Sequence, residues 1–303
     1  MWLQKKRTKT ATFTHLYKMH FLQKLRGRFE KEAKYPKWRI TQAKDVAQGG
    51  QYIDDLYNGK QQGFLIKNFL SKKELNSFRK NLKNWRAENV VELGFGKTIG
   101  KTLMGSAPDL EDYLGKAEIF KSELTRNLNF SFEARLLDLL NKVAGGRKVE
   151  IPTKNRQEYC LANIRVLEPG KGGLHAHIGN EFIERFSELG SLAEIAELTN
   201  QLSFFVVVQK PDSGGGLTIY DLEWENTPRS YIDGSLLYYS EERNKAMDEY
   251  KSFTIPAEEG DLILFTGGKV WHRVETPKGQ SARITIGGFA AKSKDDNVLY
   301  VWS

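Results

Sequence analysis

The chain has 303 residues, of which 40% are hydrophobic and 12% aromatic, enough for one large core or two small ones. It has a single cysteine, Cys160, so no disulfide can form within the chain, and a reducing, cytoplasmic setting is expected. No run approaches the roughly 18 apolar residues that span a bilayer, which excludes a transmembrane helix.

The net charge of +8 is concentrated at the amino end. Residues 1–40 carry twelve Lys and Arg against two Glu, 12 − 2 = +10, so the remaining residues carry 8 − 10 = −2. The basic segment could act as an arm for nucleic acid or a membrane surface. We favour a solvated, disordered extension, followed over residues 41–303 by a single domain with a helical amino-terminal part.

The first part of this domain combines helical spacing with one short strand. Helices are predicted over residues 43–57, 71–85 and 109–144. Ser71 with Glu74 three residues later forms a capping-box pattern at the start of the second helix. Between the first two helices the sequence GFLIKNFL predicts a strand.

The chain after Pro152 is rich in short β-prone runs separated by Gly, Pro, Asp and Asn. The runs are YCLANIRVL, LSFFVVVQK, GLTIYDLEW, DLILF, VWHRVE and RITIGGFAA. One helix-like segment, 182–199, interrupts them. Many short strands with turn signals predict a mainly β fold, a sandwich or small barrel with flanking helices.

The β-rich half also holds three of the five histidines. These are His175, His177 and His272. Residues 276–282 read as a turn between His272 and Arg283, so the flanking strands are predicted to form an antiparallel hairpin. In that hairpin His272 lies opposite Thr285, and His272 and Arg283 point into one cavity. A guanidinium beside a metal-binding imidazole suits a carboxylate ligand such as 2-oxoglutarate.

Iron oxygenases that use 2-oxoglutarate hold the metal with two His and one carboxylate. The carboxylate normally lies two residues after the first His. Counted from His177 this position is Gly179, and counted from His175 it is His177. Glu181 lies four residues from His177, the wrong spacing for a strand. Neither choice supplies a carboxylate, and a glycine would leave room for a halide beside oxygen on the metal.

Each of these features has a plainer explanation when it is taken alone. A His in a strand is more often a hydrogen-bonded core residue than a ligand. Gly179 could serve a turn that needs a positive φ, and Arg283 could be a surface charge on an edge strand. Several matching stretches in one order are more specific than any of these features.

Nine such stretches match one enzyme family. They are MGSAPDLEDYL, VEIPT, HIGNEF, QLSFF, GGGLTIYDLEW, EGDLILFTGGK, HRV, RITIGGF and the terminal VLYVWS. In them the chain resembles the freestanding iron(II)/2-oxoglutarate-dependent halogenases of hapalindole-type alkaloids, the ambiguine and welwitindolinone group. The resemblance implies a double-stranded β-helix, or jelly-roll, core. It also implies Fe(II), 2-oxoglutarate, O2 and chloride or bromide as cofactors and co-substrates.

The resemblance further implies roles around the metal. His177 and His272 would be the iron ligands, and Gly179 would mark the position where the halide coordinates. Ser203 matches a serine that favours halogen over hydroxyl transfer in the family.

Other roles concern the co-substrate and the substrate. Arg283 would clamp the distal carboxylate of 2-oxoglutarate, with Thr285 and Asn163 as weaker candidates for contacts with the same molecule. Phe182 would line the substrate pocket. His175 departs from the apolar residue of the family, so it would either contact halide or substrate or pack outside the sheet.

Residues 184–199 and 226–250, which would form the pocket wall and lid, match the family poorly, and residues 1–40 have no counterpart there. We expect halogenation of an unactivated aliphatic C–H bond in a small molecule that is not tethered to a carrier protein, with an indole alkaloid as the first substrate. One rival is a hydroxylase on the same scaffold, and a rival of another class is a non-catalytic jelly-roll binding module. Neither nucleic acid nor a membrane is an expected partner. The slightly negative charge of the body disfavours a strongly anionic substrate such as a nucleotide.

Overall fold

The structure is a computed structural model that describes residues 37–82, 85, 89–103, 110–185, 189–232 and 238–303. Its strands are β1 (Trp38–Gln42), β2 (Gly63–Lys67), β3 (Val90–Leu93), β4 (Gly96–Ile99), β5 (Lys148–Glu150), β6 (Thr153–Lys154), β7 (Gln157–Glu158), β8 (Asn163–Leu167), β9 (Leu174–His177), β10 (Leu202–Gln209), β11 (Leu217–Glu223), β12 (Ser252–Thr254), β13 (Leu262–Phe265), β14 (Val270–Val274), β15 (Arg283–Lys292) and β16 (Val298–Trp302). Its helices are α1 (Tyr52–Tyr57), α2 (Lys72–Asn81), α3 (Leu110–Leu128), α4 (Phe132–Val143), α5 (Gly179–Arg185), α6 (Gly190–Ala193) and α7 (Glu241–Met247).

The strands from β8 to β15 form the expected jelly-roll core. Strands β8, β10, β13 and β15 belong to a ten-stranded sheet, and β9, β11, β12 and β14 form a four-stranded sheet. The neighbours within this core pair antiparallel. The chain thus passes repeatedly from one sheet to the other, and the core is closed by two facing sheets.

Three layers of apolar side chains hold this arrangement together. Leu65 and Ile263 of the large sheet pack with Ile219 and Val270 of the small sheet in the space between them. The outer face of the large sheet packs against helices α1 to α4 in the largest core. The outer face of the small sheet is covered by a third cluster that includes Met247 of α7. Burial on both faces fits strands that read as nearly continuous apolar runs.

Several local predictions are confirmed. Helix α2 has the capping box, in which Ser71 Oγ accepts from Glu74 N at 3.3 Å and Glu74 Oε2 accepts from Ser71 N at 2.8 Å. The region 109–144 is helical on both sides of a break, where Asn129 has a φ of 59°. The region predicted as one helix over 182–199 instead contains α5 and α6, and residues 186–188 between them lie outside the described residues.

The amino-terminal boundary also differs from the prediction. Strand β1 begins at Trp38, inside the segment assigned to the extension, and pairs in parallel with β2. Trp38 is buried between the sheets. The rest of the predicted extension, residues 1–36, lies outside the described residues. In the part of the chain that is described, no helix has the length and apolarity needed to cross a membrane.

The predicted hairpin is wrong. Strand β14 pairs with β9 and β11, whereas β15 pairs with β8, β10 and β16, so residues 276–282 cross from one sheet to the other. Thr285 therefore lies opposite Arg165 of β8 and not opposite His272. A connection of this length can span the roughly 10 Å between packed sheets, and alternation along a strand does not distinguish a hairpin from such a crossing.

Candidate metal centre and co-substrate pocket

A cavity of about 420 Å³ lies between the two sheets, and most of its wall is apolar. Among the described residues of this wall none is acidic. The ionisable ones are His177, His272, Arg165, Arg283, Tyr238 and Tyr239. A cavity whose described wall has two guanidinium groups and no carboxylate is suited to anionic ligands.

His177 and His272 form a pair on the floor of the cavity, on the small sheet. His177 is the last residue of β9 and lies directly opposite His272 of β14. Their ring centroids are 4.2 Å apart, and the two side chains are 9% and 6% exposed. The edge of the Phe265 ring, from the large sheet, packs against His272 with ring centroids 4.9 Å apart. The backbone register therefore brings two imidazoles together in a largely buried site.

The hydrogen bonds of the pair fix which ring nitrogens are available. His177 Nδ1 lies 2.6 Å from the carbonyl oxygen of His175, and His272 Nδ1 lies 2.9 Å from that of Val270. A carbonyl can only accept, so each Nδ1 carries the proton and each Nε2 keeps its lone pair. Metal-binding histidines in proteins are commonly oriented by such a bond to the other ring nitrogen.

Burial keeps both rings neutral. It holds the pKa of His177 well below its usual range, with a further contribution from the neighbouring His272. Burial also lowers the pKa of His272 to about 4. Neutral imidazoles are the form that binds a metal ion, so this pair could hold a ferrous ion without first losing protons.

A third protein ligand is not supplied by the described residues. Within them no group of three or more His, Cys, Asp or Glu side chains lies close enough to share one ion. Glu181 is buried but is used elsewhere, because its carboxylate binds Arg243 at 2.7 Å and Arg185 at 2.9 Å. Two imidazoles with open positions beside them fit an iron ion that also binds small ligands.

Gly179 lies next to the pair at the first position of α5, and its φ is not positive. A close backbone approach explains the glycine, because a Cβ at this position would lie 2.9 Å from Gly268 Cα and 3.1 Å from Gln201 Nε2. Gly179 N also donates to the Gly267 carbonyl at 2.8 Å. A positive φ is therefore not the reason for a glycine at position 179. The close packing of Gly179 against the Gly267–Gly268 turn is the reason that the structure gives.

Arg283 enters the same cavity from β15 of the large sheet. It is 4% exposed, stacks on Phe205 with Cζ 5.1 Å from the ring centroid, and donates to Thr285 Oγ1 at 3.4 Å. Burial, together with the nearby Arg165, lowers its pKa to about 9. No acidic side chain of the described residues pairs with it. The predicted meeting of His272 and Arg283 in one cavity is thus present, although the two residues belong to opposite sheets.

The remaining predicted residues divide into two groups. Asn163 of β8, Ser203 of β10 and Phe182 of α5 all line the cavity. Phe182 stacks on His177 with ring centroids 5.6 Å apart. His175 is not on the wall of the cavity: its Nδ1 lies 2.8 Å from Asn244 Nδ2, and its ring meets the edge of Tyr239.

Sequence reasoning missed Arg165 and Tyr239. Strand alternation carries a signal for Arg165, which lies two residues after Asn163 and therefore shares its inward face. Tyr239 lies in the poorly matching region 226–250, packs on His177 with ring centroids 5.8 Å apart, and lines the cavity. No pattern in the sequence predicts that Tyr239 lies on the cavity wall.

Comparison with known proteins identifies the family of the chain. The family model described as the carrier-protein-independent halogenase WelO5 matches residues 37–303. The chain belongs to this family. The predicted resemblance to freestanding halogenases is confirmed, and the protein is an Fe(II)- and 2-oxoglutarate-dependent oxygenase of the halogenase class. Its cofactors and co-substrates are those of the family, and its substrate is a small molecule that is not attached to a carrier protein.

Several solved structures are similar to the chain, and one of them supports an argument about the fold. The N-substituted L-amino acid dioxygenase of Burkholderia ambifaria AMMD is similar with a TM-score of 0.51 and 16% identity, covering 82% of this chain and 89% of that chain. HygX from Streptomyces hygroscopicus, solved with nickel and 2-oxoglutarate, has a TM-score of 0.44 and 15% identity, covering 75% of this chain and 81% of that chain. No curated protein matches the chain. The likeness to the dioxygenase confirms the double-stranded β-helix and extends no further than the fold.

Proposed function

We propose that this halogenase installs chloride or bromide at an unactivated aliphatic C–H bond of a free small molecule, with an indole alkaloid as the first candidate. The observation that carries the proposal is the neutral pair His177–His272 in a buried cavity that has no carboxylate among its described residues. Membership of the carrier-protein-independent halogenase family supports it.

In this proposal the Nε2 atoms of His177 and His272 would hold the ferrous ion, and Gly179 would leave room for the halide. Bound iron with 2-oxoglutarate supplies the activation of O2 and the oxidising power that removes hydrogen from an aliphatic carbon. The bonds from both Nδ1 atoms to backbone carbonyls hold the imidazoles in place during turnover. The stacked ring of Phe182 and the edge of Phe265 keep water from the imidazoles.

Arg283 is proposed to bind the distal carboxylate of 2-oxoglutarate. Its buried guanidinium can grip a carboxylate with two parallel hydrogen bonds, and Thr285 Oγ1 is already within 3.4 Å of it. Asn163, on the neighbouring strand, would contribute a further contact to the same molecule. The spacing between the two sheets would then set the length of ligand that fits between the histidines and Arg283.

Ser203 is proposed to influence which group is transferred to the substrate. Its hydroxyl lines the cavity beside Gly267, the residue whose carbonyl accepts from Gly179. The substrate itself would pack on the apolar wall formed by Phe95, Leu174 and Leu217. A cavity of about 420 Å³ lies within the range of roughly 300–1,000 Å³ common for small-molecule sites.

The experiment that tests this function compares Gly179→Asp with Gly179→Ala. Both variants place a Cβ against Gly268, so both suffer the same crowding, but only the aspartate offers a carboxylate to the iron. We expect Gly179→Asp to chlorinate at least about a hundredfold more slowly than Gly179→Ala, with hydroxylated product detected by mass. Iron content and thermal unfolding of both variants serve as folding controls. Equal chlorination by the two variants would contradict the open coordination position.

A further inference from the structure

A buried ion pair connects helix α5 to helix α7 outside the cavity. Glu181 of α5 accepts from Arg243 Nη1 of α7 at 2.7 Å, and the two residues are 1% and 0% exposed. Arg185, one turn further along α5, binds the same carboxylate at 2.9 Å. None of the three residues belongs to the cavity wall. The function proposed above gives no role to Arg243.

The ion pair holds the face of α5 that is turned away from the metal centre. Successive residues of an α-helix are rotated by about 100° around its axis. Gly179 and Phe182, three positions apart, therefore share a face, and both line the cavity. Glu181 is rotated by about 200° from Gly179, so its side chain leaves the helix on the opposite side. A displacement of Glu181 would therefore move Gly179 and Phe182 with it.

The guanidinium of Arg243 ties α5 to two further parts of the structure. Its Nη2 atom donates to the carbonyl oxygen of Tyr231 at 2.9 Å while Nη1 binds Glu181. Its Cζ atom lies 5.4 Å from the ring centroid of Trp271, which precedes His272 on β14. The rigid fork of an arginine fixes the directions of such contacts, which a lysine does not.

The next residue of α7, Asn244, holds the strand that ends at His177. Asn244 Oδ1 accepts from Ala176 N at 2.8 Å, and Asn244 Nδ2 donates to His175 Nδ1 at 2.8 Å. Strand β9 is at the edge of the four-stranded sheet, so Asn244 satisfies a backbone donor that no further strand pairs. Helix α7 therefore holds the chain on both sides of His177, before it through Asn244 and after it through Glu181.

The position of α5 matters because Gly179 has little space around it. A Cβ at Gly179 would lie 2.9 Å from Gly268 Cα, so the backbone of α5 is already in close contact with the neighbouring turn. A buried ion pair often stabilises a fold no more than apolar residues of similar volume would. Its charge-assisted hydrogen bonds are directional, however, and they can fix one position of a helix. The pair is therefore suited to hold α5 in register with the metal centre.

We propose that Arg243 is a positioning residue of the metal centre, which acts through Glu181 to keep Gly179 where it leaves room for the halide. The inference rests on the function proposed above and adds to it a residue from the region 226–250. Loss of the ion pair should leave His177 and His272 opposite one another, because β9 and β14 remain paired. Iron binding should therefore persist, while halide binding weakens.

A matched control for Arg243→Met is available in the large sheet. Lys67 of β2 forms an ion pair with Asp261, which is 1% exposed. Lys67→Met therefore also removes the basic partner of a buried carboxylate. Asp261 then keeps two backbone donors, as Glu181 keeps Arg185 in the other variant. Both substitutions should lower stability, but only Arg243→Met removes a contact with α5.

Two measurements on the full chain compare these variants. In the metal-free protein, amides of residues 179–185 should exchange with solvent at least about tenfold faster in Arg243→Met than in Lys67→Met, as followed by mass spectrometry. In protein loaded with iron and 2-oxoglutarate without O2, calorimetry should give a chloride Kd at least about tenfold higher in Arg243→Met than in Lys67→Met. Iron content should be the same in both. Arg243→Lys, which keeps the charge without the fork, should lie between Arg243→Met and the wild type.

Thermal unfolding shows whether each variant is folded. If Arg243→Met does not fold, the double variant Glu181→Leu/Arg243→Met replaces it with the same expectations, because neither charge is then left without its partner. A folded variant with the chloride Kd of Lys67→Met would overturn the inference even if its α5 amides exchange faster, since the ion pair would then serve stability alone. A wild type that binds iron and 2-oxoglutarate but no chloride would instead contradict the function proposed above.

Discussion

Two groups of residues on the cavity wall differ in what they share with the family. The first group, His177, His272 and Arg283, lies in the matching stretches HIGNEF, HRV and RITIGGF, on paired strands of both sheets. The second group includes Tyr239, from the region 226–250, which matches poorly. We propose that the chemistry depends on the first group and the choice of substrate on the second, which is called the variable side below. The following predictions test this division.

The largest effect is expected at the histidine pair. His177→Ala should lose iron binding and lower turnover by at least about a thousandfold, because one imidazole cannot hold the ion in place. His175→Ala is the matched control, since His175 lies on the same strand but off the cavity wall. Iron content by elemental analysis is the measurement. Loss of iron in His175→Ala to the same extent would contradict the division.

The next effect concerns the co-substrate. Arg283→Ala should raise the Kd of 2-oxoglutarate about a hundredfold, and Arg283→Lys about tenfold, because lysine lacks the planar fork. Arg273→Ala is the control, because Arg273 lies beside His272 on β14 but pairs with Asp248 and Glu275. Titration of the metal-loaded protein with 2-oxoglutarate gives the affinities. A similar loss in Arg273→Ala would show that the charge of the protein, and not the site, attracts the dicarboxylate.

The stability of the metal-free protein should depend on pH. An unfolded histidine binds a proton near pH 6.5, whereas His272 in the fold does so only near pH 4. The unfolded state therefore binds more protons between these values, and the free energy of unfolding should fall by roughly 3 kcal/mol as the pH falls from 6.5 to 4. Urea unfolding in the presence of a chelator measures the fall. His272→Gln should reduce it, and an equal fall in that variant would exclude His272 as the cause.

The smallest effect is expected on the variable side. Tyr239→Ala should weaken the binding of an indole probe by up to about tenfold, since an aromatic contact is lost. Binding of iron and of 2-oxoglutarate should stay the same. Tyr300→Ala, on β16 and away from the cavity wall, is the control. If Tyr239→Ala instead lowers the affinity for iron, Tyr239 supports His177 and does not belong to the variable side.

The sequence predicted the core strands well because their residues are apolar in unbroken runs and their ends carry turn signals. It predicted that His272 and Arg283 share a cavity, but through a hairpin that does not exist. Both residues point inward from facing sheets, so they share the cavity although their strands are not paired with each other. Pairing between strands depends on contacts distant in sequence, and local alternation does not contain them.

The parts of the site that the sequence could not predict depend on three-dimensional neighbours. Glycine at position 179 has a second explanation in the packing against Gly268, which becomes visible only when the two loops meet. In the sequence Arg165 is one arginine in a predicted strand. Only the structure shows that it lies on the cavity wall and has no acidic partner among the described residues. His175 is a polar residue on the edge strand β9, and its hydrogen bond to Asn244 explains it without a ligand.

The crossing of residues 276–282 between the sheets has a mechanical consequence. His272 and Arg283 lie close together in the chain but on opposite walls, so under the proposed function a molecule bound to both iron and Arg283 would hold the two sheets together. Iron and 2-oxoglutarate together would then raise the melting temperature by more than the sum of their separate effects. Thermal separation of the two sheets would release iron and 2-oxoglutarate together. The enzyme without iron or without 2-oxoglutarate should therefore unfold at a lower temperature than the enzyme that holds both.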